Sequence, residues 1–358
     1  MDELYERLRK RLDDISIGYP ATESKVEIRI LKKLFTEEEA ELFIKLTPFL
    51  ETAEVVAQRL NLNLENIASK LEQMAKKGLL FRQHKDGIVR YAAVPYVVGI
   101  FEFQVKTLDK EFVLDNEEFF EKGFGQSLQS FKTPVLRSVP INREIVVNWP
   151  IAPYEDIVQI IDSQKFIAIA PCICRTLSGM NDKGCGKTVE ACFVFGSHAK
   201  YYVENGMGRF ISKDEAKDIA KNNEKVGLVM QPFNSQHVSG MCSCCGCCCG
   251  MLRSLKRQPS PADAVQSNYY AEIETEECIG CEACISRCQM DAIEIVDGIA
   301  KLSKQRCIGC GLCVTTCPSD AIKLIKKAED KIYVPPKTGA DTYMQIAVER
   351  NRNPLAPV

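Results

Sequence analysis

The residues in this chain best suited to chemistry are cysteines. Six of them, Cys242, Cys244, Cys245, Cys247, Cys248 and Cys249, stand within the stretch MCSCCGCCCG. One core cannot receive every side chain of so dense a run. Neighbouring cysteines bridge only with strain, and disulfide scaffolds belong to small secreted chains. Thiolates are metal ligands, so metal binding is the chemistry to expect. Four more thiols lie upstream: Cys172 and Cys174 at the end of FIAIAPCICR, Cys185 in NDKGCGKT and Cys192 in VEACFVFG. Downstream, CIGCEACISRCQMDAIEI starts at Cys278 and CIGCGLCVTTCPSDAIKL starts at Cys307. Of the 18 cysteines, none precedes Cys172 and none follows Cys317, which separates a metal-free front from a metal-rich back.

The two downstream runs are a duplication. Each holds C-x2-C-x2-C-x3-C and continues into Asp-Ala-Ile. Three cysteines at steps of three, on a loop with Gly280 or Gly309, can wrap one face of an iron–sulfur cube, and the fourth thiolate must come from elsewhere. Residues 271–327 resemble the bacterial-type 2[4Fe–4S] ferredoxins. The resemblance implies one cluster on Cys278, Cys281 and Cys284 with Cys317 crossing over, and another on Cys307, Cys310 and Cys313 with Cys288 crossing over. Pro318 after Cys317 fits the family pattern. Gln289 after Cys288 departs from it, and its backbone N–H is expected to donate toward a cluster sulfur and separate the two potentials. A pair of zinc sites is the rival reading. Residues 292–296 and 322–325 read as strands pairing the two halves, with a helix near Cys284 and another near Cys313. Residues 271–330 carry seven Lys/Arg against eleven Asp/Glu, an acidic face that suits a basic patch on an electron-transfer partner.

The ten thiols of the middle region exceed one tetrahedral site. One or two further Fe–S clusters are expected there. Cys172, Cys174, Cys185 and Cys192 would supply one set, and the run at 242–249 a second set or the completion of the first. Gly246 and Gly250 let the backbone bend between thiols, and adjacent residues of an extended stretch point opposite ways, so the run can serve centres on both sides. Twice it reads Cys-Cys-Gly, which resembles the cysteine-rich motif of heterodisulfide reductase subunits without reproducing its partner spacing. From 166 to 327 the pattern is similar to ferredoxin-like proteins of anaerobes. A structural zinc knot and a thiol relay are the alternatives. Residues 166–170 read as a buried strand that stops at Pro171, and Ser212 with Glu215 as a helix-capping box. GCGKT lacks the first glycine of a phosphate loop, having Asn181 there, and GMGRF lacks the third glycine of a dinucleotide fingerprint.

The 358 residues, 46% hydrophobic with a formal net charge of −2, allow two or three domains and carry no basic block for nucleic acid. The charged start MDELYERLRKRLDD lacks a secretory pattern, and the most apolar region, residues 88–103, is broken by Arg90, Pro95 and Gly99. A cytoplasmic protein with no membrane span is expected. The three histidines, His84, His198 and His237, are far apart, which argues against clustered-histidine catalysis.

Residues 27–103 predict short helices at EEEAELFIKL and TAEVVAQRL, a third at LENIASKLEQMAKKG capped by Asn63 and closed by Gly78, and a hairpin about Asp86-Gly87. That order resembles the winged helix-turn-helix of transcriptional regulators. The leading turn of the third helix offers Glu65, Asn66 and Ser69, and its basic residues Lys76 and Lys77 come last, so the module reads as a docking or dimerisation surface with DNA the alternative partner.

The expected fold class is α+β multidomain: helix plus winged helix over 1–106, a cysteine-rich α/β domain over 107–268, a ferredoxin-like dicluster domain over 269–329 and a tail over 330–358. Trp149 and the APYEDIVQIIDSQ helix fall in a connector, and DTYMQIAVERN makes a tail helix that wraps the protein or touches a partner, a solvated tail being the rival reading. The expected function is polyferredoxin-like transfer of single electrons between a cytoplasmic donor and a redox enzyme. A redox-sensing regulator and a reductase with an open-coordination middle cluster are the alternatives, the last offering only Arg175, Lys187 and His237 as charged or proton-active groups near the cysteines.

Overall fold

The computed structural model describes residues 2–15, 17–128, 130–140, 145–146 and 151–355. The front module is built from α1 (Asp2–Asp14), α2 (Val26–Leu34), α3 (Glu37–Ile44), α4 (Ala53–Leu60) and α5 (Leu64–Lys76). Side chains satisfy the orphan N–H groups at the helix starts. Thr36 and Glu39 make a reciprocal capping box at α3, Thr52 accepts from Val55 at α4, and Asn63 accepts from Asn66 at α5. The apolar stripe of α5 (Ile67, Leu71, Met74) is buried, as its spacing predicts. A hairpin follows, β1 (Leu80–Lys85) antiparallel to β2 (Ile88–Ala93). Its turn residues Asp86 and Gly87 both have positive φ, 53° and 74°, the geometry that matches strand twist.

The middle region begins with the short turn α6 (Phe101–Phe103), then α7 (Lys110–Phe119), the turn α8 (Gly125–Ser127), β3 (Ile145–Val146) and α9 (Ile157–Asp162). Trp149 lies outside the described residues. The strand expected at 166–170 is β4 (Ile167–Pro171). It leads through α10 (Ile173–Met180), β5 (Glu190–Phe195), α11 (Gly196–Glu204), β6 (Arg209–Phe210), α12 (Lys213–Lys225) and β7 (Val229–Pro232) to β8 (Gly240–Cys244). These strands form an antiparallel sheet in the order β6-β4-β5-β8-β7.

Alternation along the strands sorts the residues. Ile167, Ile169, Phe193, Phe195 and Met241 join Ile160 of α9 and Ala216 of α12 in one core on one face of the sheet. Ala168, Ala170, Cys192 and Val194 turn to the other face, where the front module packs. There α11 covers the hairpin: Phe81 stacks on His198 with ring centres 4.2 Å apart, Tyr201 Oη donates to Ala75 and Leu80 carbonyls at 2.8 Å, and Arg82 pairs with Glu204 at 2.8 Å.

The back part holds α13 (Gly250–Lys256), α14 (Pro261–Val265), β9 (Tyr269–Ile273), α15 (Ala283–Arg287), β10 (Ile293–Val296), β11 (Ile299–Leu302) and β12 (Ile322–Lys326). Both expected strands exist, but they do not pair with each other. A local turn at Asp297-Gly298 lets β10 pair β11, whereas β12 pairs antiparallel with β9 and parallel with β3. The helix expected near Cys313 is a single 3-10 turn at Val314–Thr316, where three β-branched residues precede Pro318.

The tail wraps the molecule through α16 (Gly339–Glu349). Ile346 and Ala347 are fully buried, Glu349 accepts from Thr133, and Arg350 pairs with Asp13 at 2.9 Å. Removing the Ile346 side chain leaves a cavity under this strap. Ile346→Ala is expected to lower stability by about 2–5 kcal/mol and to speed limited proteolysis of the tail, checked by denaturant unfolding and timed digestion of anaerobic protein.

Candidate metal centres

The duplicated runs fold into two thiol pockets. Cys278, Cys281, Cys284 and Cys317 surround one small cavity with Gly280. Cys307, Cys310 and Cys313 gather close to Cys288. Each run bends through a glycine with positive φ, Gly280 at 65° and Gly309 at 64°. A Cβ on Gly280 would collide with the Gly298 carbonyl, and one on Gly309 with the Tyr269 carbonyl, so only glycine lets these loops close. Backbone N–H groups are aimed at sulfur: Ala300 reaches Cys278 Sγ at 3.5 Å, Ala292 reaches Cys288 Sγ at 3.2 Å and Ala271 reaches Cys307 Sγ at 3.4 Å.

The two pockets differ in exposure. The first is near the surface: Cys281 is exposed, Ile279 is 68% exposed, and Glu274, Glu276, Glu277 and Glu282 are exposed around it. The second is interior. Burial pushes the Cys310 thiol up to about 12 and raises Cys307 and Cys313, so without a cation these sulfurs stay protonated. At the outer pocket burial raises Cys284, whereas at Cys317 the upward pull of burial is outweighed by the Ser319 hydroxyl and backbone N–H groups, which lower its thiol.

Two arginines clamp this domain to the middle region. Arg287 donates to the Glu224 and Lys225 carbonyls at the end of α12, at 2.8 and 2.9 Å. Arg306 donates to the Lys256 carbonyl at the end of α13, at 2.8 Å. Each places a cation on a helix C-terminus, where carbonyls lack partners. Buried Glu155 completes the junction, accepting from Asn268 and pairing with Lys326 at 3.4 Å.

The middle thiols divide into two groups, and the division differs from the expected one. Cys172, Cys174, Cys192, Cys242, Cys244 and Cys249 line a common cavity. Their sulfurs interact as a chain in the order Cys172, Cys174, Cys249, Cys244, Cys242, Cys192. Cys192 stands opposite Cys242 in the sheet, and Cys242 and Cys244, two apart on β8, share a face. Hydrogen bonds from Cys174 and Cys244 bring the Cys249 thiol down to about 5, while Cys172 is raised by its bond with Cys174 and by burial. Six thiols exceed the four of a cubane.

The second group is Cys185, Cys245, Cys247 and Cys248, with sulfurs all within 4.8 Å of one another. Cys185 to Cys245 is 3.9 Å and Cys247 to Cys248 is 3.8 Å. Tetrahedral metal–sulfur bonds of about 2.3 Å place ligand sulfurs about 3.8 Å apart, so the spacing fits a single ion. A cube, with each thiolate on its own iron, would hold them farther apart. Cys185 therefore leaves the set proposed for it with Cys172, Cys174 and Cys192. The backbone explains this: β8 ends at Cys244, the turn over 246–248 swings Cys245, Cys247 and Cys248 away, and Cys249 returns as the N-cap of α13. Arg175 lies between the groups. It donates to the Ser243 and Thr188 carbonyls at 2.8 and 2.7 Å, and its interactions with the neighbouring sulfurs raise its own proton affinity despite burial.

Gln289 acts differently from the sequence expectation. The N–H that reaches the Cys288 sulfur is that of Ala292. The Gln289 side chain instead accepts the Gly246 N–H at 2.7 Å, and a Cβ on Gly246 would lie 2.5 Å from the Gln289 carbonyl oxygen. The position that departs from the ferredoxin pattern is thus the contact with the cysteine-dense turn. Cys244 and Cys249 share one packed cluster with Cys288, Cys307 and Cys310.

Glu102 was not anticipated. It lines the six-thiol cavity, one oxygen held by the Gly99 N–H at 2.7 Å, and burial, with lesser effects from Cys242 and Cys172, raises its carboxyl to about 8. A lone carboxylate in the most apolar stretch of the chain was the available signal. Lys187 lies away from this cavity, its ammonium 3.4 Å from the Gly227 carbonyl.

A family model described as 4Fe-4S dicluster domain matches residues 271–324. No curated protein and no solved structure matches the chain. Residues 271–324 are a 4Fe–4S ferredoxin-like domain, and this match together with the cysteine group at Cys185, Cys245, Cys247 and Cys248 supports iron–sulfur and metal binding. No helix among the described residues is long and apolar enough to cross a membrane. If the four-thiol group holds one ion, Cys248→Ser should cost about one metal per chain and leave acid-labile sulfide unchanged, read by elemental and sulfide analysis of anaerobic protein.

Proposed function

We propose that the protein is an iron–sulfur electron-transfer protein in which the dicluster domain carries single electrons between an external redox partner and the buried thiol centre of the middle region. The observation that carries this reading is that Cys288, Cys307 and Cys310 of the inner thiol pocket share one packed cluster with Cys244 and Cys249, tied by the Gln289–Gly246 hydrogen bond. Two bound [4Fe–4S] clusters supply one-electron redox capacity. Cys278, Cys281, Cys284 and Cys317 would hold the outer one, and Cys307, Cys310, Cys313 and Cys288 the inner one.

The residues around the two pockets do separate work. The exposed acidic rim at Glu274, Glu276, Glu277 and Glu282 suits a basic partner surface beside the outer site. The apolar packing of Ile308, Leu312 and Met290 excludes water from the inner one. Arg287, Arg306 and Glu155 fix the register between domains. In the front module, Lys70, Lys76 and Lys77 are paired with Glu38, Glu72 and Glu39, and Val55, Leu62 and Leu64 are exposed. This supports a role in protein docking or self-association over DNA reading.

Cys317→Ser is expected to alter one of two low-potential EPR signals of the reduced protein and leave the other. Loss of neither, or of both together, would overturn the ligand pairing. Iron and sulfide should exceed about eight of each per chain if the middle thiols hold a further cluster.

A further inference from the structure

A large cavity meets the six-thiol group at Cys192 and Cys242. It encloses about 430 Å³, within the range of small-molecule sites. Its walls come from three parts of the chain: Phe81 and Ala93 of the hairpin, Val194 of the sheet, and Tyr343 of the tail helix. At its inner end stand Glu102, Cys192, Cys242 and Tyr202, and these same four line the six-thiol cavity. Exposed Phe49 and Leu50 make its mouth apolar.

The lining chemistry selects the occupant. Among the described lining residues there is no Lys or Arg, and Glu102 is the one carboxylate. A phosphate-bearing or carboxylate ligand would enter without a counter-charge, at a high desolvation cost. His198 lends no cation, since burial holds it down to about 4. The remaining polar lining groups are Asn234, Ser239, Thr338, Thr342 and Tyr343 beside Tyr202, His198, His237 and Glu102. The last four can hydrogen-bond one polar end of a ligand whose body is hydrocarbon or aromatic. A simple electron relay has no use for such a space. The strap that closes it, α16, is held in place by buried Ile346 and Ala347.

We propose that this cavity is the binding site of an uncharged, largely apolar organic molecule, held with its polar end against Cys192 and Cys242 of the six-thiol group. The site makes the middle region the working end of the protein, served by the dicluster domain. This rests on the electron-transfer reading only in taking the six-thiol group to be a redox centre.

The test uses the full anaerobic protein and 4-fluoroanisole, followed by fluorine NMR. The expected result is saturable line broadening that weakens at least tenfold in Ala340→Trp and in Val94→Trp, two substitutions at incompletely buried lining positions. The anion 4-fluorobenzoate should bind at least tenfold more weakly than 4-fluoroanisole. Reduction with dithionite should change the relaxation of the bound fluorine, because the probe lies beside a redox centre. Absence of saturable binding, or binding untouched by both tryptophans, would overturn the proposal. Binding lost in the variants but insensitive to reduction would uphold the cavity and count against a redox centre at the six thiols.

Discussion

The architecture depends on one constraint: a strand places alternate side chains on opposite faces, and a turn reverses that order. Along β8 the alternation sends Cys242 and Cys244 toward Cys192 on the neighbouring strand. The turn through Gly246 then delivers Cys245, Cys247 and Cys248 to Cys185, and Cys249 comes back to the first group. Dense thiols that would frustrate any single core become two separate donor sets within one short run of backbone. Gly246 is indispensable here because the Gln289 carbonyl oxygen occupies the space a side chain would need.

That turn is also where two domains meet. The dicluster domain is anchored by cations on helix ends, Arg287 on α12 and Arg306 on α13, and by the buried Glu155–Lys326 pair. Removing one partner of such a buried pair leaves an uncompensated charge, which makes the register between domains specific. With the register fixed, the outer pocket is exposed to solvent while the inner pocket packs with the middle thiols. The structure thus has a wet acidic end and a dry, thiol-lined end.

Much of this was legible in the sequence. The tandem C-x2-C-x2-C-x3-C runs carry their own geometry, because three-residue steps around a left-handed glycine make the pocket locally. The front helices were equally readable, since Thr52 and Asn63 cap them by short-range chemistry. What was not legible was long-range. No local pattern says that Cys185 joins the 245–248 turn, that β12 pairs with β9, or that Gln289 holds Gly246. Glu102 was hidden for the same reason, because its neighbours Cys172 and Cys242 lie far along the chain.

On this reading the middle cysteines form two metal-holding groups in addition to the dicluster pair. Native mass spectrometry of anaerobically purified chain tests it most directly. The mass should exceed that of the polypeptide with two [4Fe–4S] clusters by one tetrahedral ion and by the inorganic content of the six-thiol group. A mass equal to polypeptide plus two cubanes alone would contradict it.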